Sequence, residues 1–218
     1  MVPVTELPAA GQSLSLLLPG AAGAIEVMLS APRETASGFA VICHPHPLFG
    51  GAMSNKVVYT LAAAALDCGL HALRFNFRGV GKSAGMHDHG TGETTDTVFL
   101  AQWARGQLAG SRIVLAGFSF GAHVSLRAAA QVEPPLLVSI APPFGKYASE
   151  APGQRPAGTW LAVHGRDDEV VDYEETMAAL KRYVPPPEIV SMDGVGHFFH
   201  GRLTELRQIV TSFVQRNW

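Results

Sequence analysis

Residues Gly117-Phe118-Ser119-Phe120-Gly121 form a G-x-S-x-G pentapeptide between the apolar run Arg112 to Ala116 and the helix-forming stretch that begins at Ala122. In a strand-turn-helix setting the two glycines allow a sharp reversal in which a Cβ would collide with neighbouring elements. Such a turn holds Ser119 in a strained backbone conformation, its hydroxyl at a helix N-terminus whose dipole favours developing negative charge. A serine hydroxyl is a weak nucleophile near neutral pH, so the chemistry also requires a general base, and a third group to orient it.

Other segments offer competing chemistry. Gly81-Lys82-Ser83 after an apolar run imitates the end of a phosphate-binding loop, G-x-x-x-x-G-K-[ST], but the first glycine should stand at position 76, which is Asn76. The segment reads better as a tight structural turn than as a nucleotide site. The pairs His44/His46, His87/His89 and His197/His200 would need ligands converging from separate elements to hold a metal, and nothing in their spacing shows that; no metal and no cofactor is expected. Cys43 and Cys68 lie in no C-x-x-C pair and cannot build a disulfide framework.

The elements that must position Ser119 follow from hydrophobic patterning. Two alternating segments, Ser13 to Leu18 and Ala24 to Leu29, flank a Pro/Gly-rich turn and read as an N-terminal antiparallel hairpin. Continuous apolar runs then recur at Phe39 to Cys43, Ala72 to Phe77, Arg112 to Ala116, Leu136 to Ile140, Trp160 to Val163 and Ile189 to Ser191, as strands buried on both faces do. Between them lie helical stretches at Asn55 to Asp67, Thr95 to Gln107, Ala122 to Val132, Tyr173 to Tyr183 and Leu203 to Arg216. Asp172 with Glu175 resembles a capping box, and Leu203, Leu206, Ile209, Val210, Phe213 and Val214 make one apolar face of the last helix. The alternation predicts an α/β fold: a mostly parallel sheet with helices on both faces and an antiparallel edge from the hairpin. Ligands in such folds bind beyond the C-terminal ends of the strands.

With G-x-S-x-G in that context, the chain resembles the α/β-hydrolase superfamily over nearly its whole length. The resemblance implies the triad order nucleophile, acid, histidine. His164-Gly165-Arg166-Asp167-Asp168 looks like the family's G-x-x-D segment, with Asp168 as the acid, and Gly194-Val195-Gly196-His197 looks like its histidine loop. His197 would take the proton of Ser119, Asp168 would fix the imidazole tautomer, and activity would fall with acid as His197 takes up a proton. The His44-Pro45-His46-Pro47-Leu48 segment stands where the family keeps its oxyanion loop. The oxyanion would then receive the N–H of Phe120 and one N–H from this loop. Pro45 and Pro47 have none, which leaves His46 and Leu48, with a slight preference for Leu48. The HPHP run and the Arg78-Gly79-Val80-Gly81-Lys82-Ser83 block together look like a compact bacterial subgroup of the superfamily.

Size and composition agree. With roughly 100 to 200 residues expected per domain, 218 residues predict one domain, and 47% hydrophobic against 16% charged residues suit a large buried core. Sixteen Lys and Arg against 18 Asp and Glu leave no basic excess for a phosphate backbone, so nucleic acid is not the expected partner. The apolar run near Leu14 to Leu18 is too short for a signal or a membrane span, which points to a cytoplasmic protein. Only about twenty residues, Ala141 to Thr159, separate two strands where many lipases of this fold insert a cap. The expectation is therefore a single lidless domain whose short rim, including Pro142, Pro143, Phe144 and Tyr147, meets the substrate. The expected activity is hydrolysis of a short-acyl carboxylic ester through an acyl-enzyme, with no cofactor. The alternatives are a peptidase or thioesterase with the same triad, or a binding protein on the same scaffold. The sequence names neither the physiological substrate nor the oligomeric state.

Overall fold

A computed structural model describes residues 6–108, 110–147 and 154–218. The N-terminal alternation becomes a hairpin of β1 (Ser13–Gly20) and β2 (Gly23–Ser30), with Leu18 opposite Ile25. The continuous apolar runs become β3 (Gly38–Cys43), β4 (His71–Phe75), β5 (Arg112–Phe118), β6 (Leu136–Ile140), β7 (Thr159–Gly165) and β8 (Glu188–Met192). Among the described residues these eight strands form one sheet in the order β1-β2-β4-β3-β5-β6-β7-β8. The pairs β1/β2 and β2/β4 are antiparallel and all the others parallel.

Among the described residues six α-helices cover the sheet: α1 (Lys56–Asp67), α2 (Thr91–Gln107), α3 (Phe120–Val132), the short α4 (Phe144–Tyr147), α5 (Tyr173–Lys181) and α6 (Leu203–Asn217). Because successive strand side chains point to opposite faces, a strand buried on both sides feeds two cores. Phe39, Val41 and Cys43 pack with residues of α2, α3 and α5, while Ala40 and Ile42 pack with residues of α1 and α6. The apolar stripe of α6 lies against the second core through Leu206, Val210, Phe213 and Val214. This is the α/β-hydrolase fold that the sequence resembles.

Two helix ends differ from the sequence expectation for identifiable reasons. Helix α2 begins four residues earlier, at Thr91, because side chains satisfy its otherwise unpaired first N–H groups. Asp88 Oδ2 accepts from Gly92 N, and the buried Glu93 carboxylate reaches back to accept from the N–H groups of Asp88 and Gly90, each at 2.9 Å. Helix α5 has the expected cap, Asp172 Oδ1 accepting from Glu175 N at 2.7 Å, but ends at Lys181. Tyr183 leaves the helix and sets its ring edge-on to Trp160, 5.0 Å between centroids. Among the described residues no helix is long and apolar enough to cross a membrane.

Candidate active site

The parallel strands end on one side of the sheet, and the residues just beyond β3, β5, β7 and β8 meet there. At the end of β5 the chain turns into α3 through Ser119, whose φ of 54° and ψ of −122° lie outside the regions a non-glycine residue normally occupies. Its N–H donates to Ile140 O at 2.8 Å and its carbonyl accepts from Ala122 N at 2.8 Å, so both neighbouring elements hold the strained residue in place. The close approach explains the flanking glycines. A Cβ on Gly117 would overlap the backbone of Gly121 and Ala122, and one on Gly121 would overlap the carbonyls of Cys43 and His44 at the end of β3. We expect Gly121→Ala to destabilise the fold by about 1–3 kcal/mol, as other overpacked sites do, and to displace Ser119. Urea unfolding measures the first effect, and a retained wild-type midpoint would contradict it.

Ser119 is 9% exposed, so its hydroxyl sits on the floor of the site and does not stand clear of it. Its Oγ lies 3.1 Å from His197 Nε2, and His197 Nδ1 lies 2.8 Å from Asp168 Oδ2. The structure thus brings together the three residues that the motif pattern singles out. The partners define the tautomer: Nδ1 faces a carboxylate and carries the hydrogen, which leaves Nε2 to accept from the serine hydroxyl. Asp168 fills its loop: Oδ1 accepts the N–H groups of Val170 and Val171 at 2.9 and 2.7 Å, while Oδ2 faces His197 and, at 3.2 Å, His164 Nε2. Asp167 is exposed and makes its backbone bond to Val195 O.

Burial of Asp168 would raise its carboxyl pKa, but donation from His164, His197 and the Val171 N–H outweighs this and holds the group well below the usual carboxylate range. A folded-state pKa depressed in this way contributes stability that is present above the unfolded value of about 3.9 and is lost as pH falls below it. The stability gap between wild type and Asp168→Asn, measured by urea unfolding, should therefore narrow as pH drops below about 4. A gap that widened would reverse the sign and refute the ionised assignment.

The oxyanion loop is a 3-10 turn over Pro47–Phe49. The Leu48 N–H, favoured as an oxyanion donor, is taken: it donates to His46 Nδ1 at 3.2 Å. This bond holds the Leu48 N–H within its own loop. The His46 ring packs on Phe120 at 4.8 Å between centroids, which ties this loop to the start of α3. His44 is a structural residue, its Nδ1–H donating to Pro45 O at 2.6 Å and its Nε2 accepting from Phe77 N at 2.9 Å. Burial pushes its pKa down to about 4, and both ring nitrogens are used inside the protein.

The expected substrate residues fare differently. Phe144 turns inward, half-buried, with its ring 6.1 Å from Tyr183 and packed on the first core, because α4 lies against α5. Pro142 and Pro143 are buried, and the Tyr147 side chain lies outside the described structure. Exposed apolar side chains stand on the loops beyond β3, β4, β7 and β8. Phe49 (85% exposed) packs on His46, Phe198 (42% exposed) packs on His197, and Leu48, Met86 and Val170 are also exposed on the loops beyond β3, β4 and β7. Glu169 is another residue sequence reasoning missed: its Oε2 accepts the backbone N–H of His197 at 3.1 Å and so steadies the histidine loop. Only its place beside Asp168 could have drawn attention to it.

The remaining chemistry seen in the sequence resolves into structure. Glu26 Oε2 accepts from Lys82 N and Asn76 Nδ2 at 2.8 and 2.7 Å, and Ser83 Oγ donates to Asn76 O, so a carboxylate stands at the imitation phosphate loop. Burial raises the Cys43 thiol to about 12, which leaves it no thiolate near neutral pH. Among the described residues no three His, Cys, Asp or Glu side chains are grouped to hold a metal ion.

The sequence model of the X-Pro dipeptidyl-peptidase (S15) family matches residues 24–183. The chain belongs to this family. Two solved α/β serine hydrolases are similar to it over most of their length. A homologue from Coxiella burnetii is 44% identical with a TM-score of 0.87, covering 92% of this chain and 97% of its own. An α/β serine hydrolase without lid from Xanthomonas campestris is 41% identical with a TM-score of 0.90, covering 97% of each chain. An uncharacterized protein of Rickettsia prowazekii (strain Madrid E) is 30% identical over 207 residues, 89% of this chain and 86% of its own. The S15 chain described here thus belongs to the α/β serine hydrolase superfamily by family and fold.

Proposed function

We propose that this protein hydrolyses short-acyl carboxylic esters through a serine acyl-enzyme, without an inserted cap and without a cofactor. The observation that carries the reading is the continuous path from Ser119 Oγ through His197 to Asp168, at 3.1 and 2.8 Å, on a strained strand-to-helix turn. Ser119 Oγ attacks the ester carbonyl while His197 Nε2 takes its proton. The oxyanion that forms receives the N–H of Phe120 and one N–H from the loop that holds His46 and Leu48. As the intermediate collapses, His197 returns the proton to the departing alkoxide, and a water activated by the same imidazole then hydrolyses the acyl-enzyme.

The exposed side chains of Phe49, packed on His46, and Phe198, packed on His197, offer apolar surface for an acyl or alcohol group. A second reading, peptide hydrolysis, is favoured by the S15 match. Against release of N-terminal dipeptides stands the occupancy of the nearby carboxylates, one of which would have to hold the substrate ammonium. Glu93 accepts from His87 and two backbone N–H groups, and Glu169 accepts from the His197 N–H. The protein is proposed to act in the cytoplasm on a small-molecule substrate.

The test is a panel of esters of graded acyl length run beside matched thioesters, amides and X-Pro dipeptide amides, together with labelling by a fluorophosphonate. Rapid labelling and the highest kcat/KM on short esters are expected, with no jump in rate as an ester passes its solubility limit. Turnover confined to X-Pro amides would replace the ester reading with the peptidase one, and a chain that does not label would leave a binding protein on the same scaffold.

A further inference from the structure

His164, the penultimate residue of β7, plays no part in the triad as drawn, yet it touches the triad's acid. Its side chain is fully buried. Its Nε2 lies 3.1 Å from Val171 O and 3.2 Å from Asp168 Oδ2. Both partners are acceptors, so Nε2 carries the hydrogen and donates to both. Nδ1 is buried with no hydrogen-bond partner among the described residues. The unpaired nitrogen carries a desolvation cost with no bond to offset it, which makes the two bonds of the other nitrogen the reason to look for a role.

Oδ2 of Asp168 is the same oxygen that accepts from His197 Nδ1. We propose that His164 is a positioning residue for the acid: its Nε2–H holds Asp168 Oδ2 toward His197 and takes up part of the carboxylate's charge. This rests on the serine hydrolase reading above. The other oxygen is already fixed by the Val170 and Val171 N–H groups, so His164 supplies the remaining anchor that stops the carboxylate rotating about its Cβ–Cγ bond. Because it shares the carboxylate with the imidazole, it also limits how strongly Asp168 stabilises the imidazolium. The other polar and charged groups near this pair are Tyr173, whose ring is 5.9 Å from that of His164, Arg166 over the Tyr173 ring, and Glu169 at the His197 N–H.

Replacement by leucine removes the donor and the unpaired nitrogen together. Glutamine places an amide N–H near the position of Nε2. We expect His164→Leu to slow fluorophosphonate labelling of Ser119 about tenfold, the scale seen when the hydrogen-bond partner of a metal-ligating side chain is removed. The acid limb of the labelling rate should move to higher pH by about half a unit or more, since a less satisfied carboxylate favours the imidazolium. His164→Gln should restore most of the rate and return the limb toward wild type. Labelling is read instead of ester turnover because it needs an activated serine but no particular substrate.

If wild type labels and His164→Leu labels at the same rate with the same pH profile, the inference is overturned while the hydrolase reading stands. A slower rate accompanied by a lower midpoint and an unmoved acid limb, unrescued by glutamine, would make His164 a packing residue only. A wild-type chain that does not label would overturn the hydrolase reading and this inference with it.

Discussion

Ser119→Ala is expected to lower kcat by about 10⁶-fold, the scale of losing the nucleophile in a serine hydrolase whose triad acts as a unit. The substitution removes one oxygen and leaves the Cβ in place, so the strained turn at φ 54° and its backbone bonds to Ile140 and Ala122 are unaffected. The hydroxyl's one hydrogen-bond partner described here is His197 Nε2, and the loss of that bond is small on the scale of a folded domain. The variant should therefore unfold within about 1 kcal/mol of wild type and fail to label with a fluorophosphonate. Esterase activity near wild type in the purified variant would show that the nucleophile is elsewhere.

Asp168→Asn should cost about 10⁴-fold in kcat, as in a serine protease whose triad aspartate becomes asparagine. The geometry gives the reason. All four neighbours of the Asp168 carboxylate are donors: the N–H groups of Val170 and Val171 on one oxygen, His164 Nε2 and His197 Nδ1 on the other. An amide has only one oxygen. Turned toward the valines, that oxygen leaves an NH₂ against His197 and drives the imidazole into the tautomer whose Nε2 carries the hydrogen, unable to accept from Ser119. Turned the other way, the NH₂ opposes two backbone donors and disrupts the loop. Asp167→Asn should leave kcat within a fewfold of wild type, because Asp167 is exposed and its backbone N–H donates to Val195 O, away from the His197 ring that Asp168 holds. A reversed outcome would move the acid by one residue, and an effect at neither position would remove the triad.

How the site is legible in the chain varies from residue to residue. Ser119 is legible because the elbow is a local device. A strand-length apolar run, two glycines and a helix-forming stretch are contiguous, and the close approaches that need glycine occur within a few residues and against one neighbouring strand. The same locality makes the hairpin, the buried parallel strands and the stripe of α6 readable, since each is set by a period of 2 or 3.6. Asp168 and His197 are legible through the resemblance of the Gly165-Arg166-Asp167-Asp168 and Gly194-Val195-Gly196-His197 segments to the α/β-hydrolase pattern.

Other features depended on which side chains meet across loops. The crossing order β2-β4-β3-β5 is not written in any one segment. The turn of Phe144 toward Tyr183, the capture of the Leu48 N–H by His46, and the early start of α2 under the Glu93 carboxylate each hang on where a side chain happens to find its partner. So do the contacts of Glu169 and His164 with the triad, which no spacing rule singles out. The chain by itself determined the fold class, the strand-to-helix elbow at Ser119 and the likeness to a hydrolase, because backbone periodicity and the steric needs of a turn are properties of neighbouring residues. Only the tertiary structure decided that the Leu48 N–H bonds within its own loop, that Phe144 packs inward and that four donors surround the Asp168 carboxylate, because hydrogen bonds and ring contacts form between whichever groups the fold brings within about 3 to 5 Å.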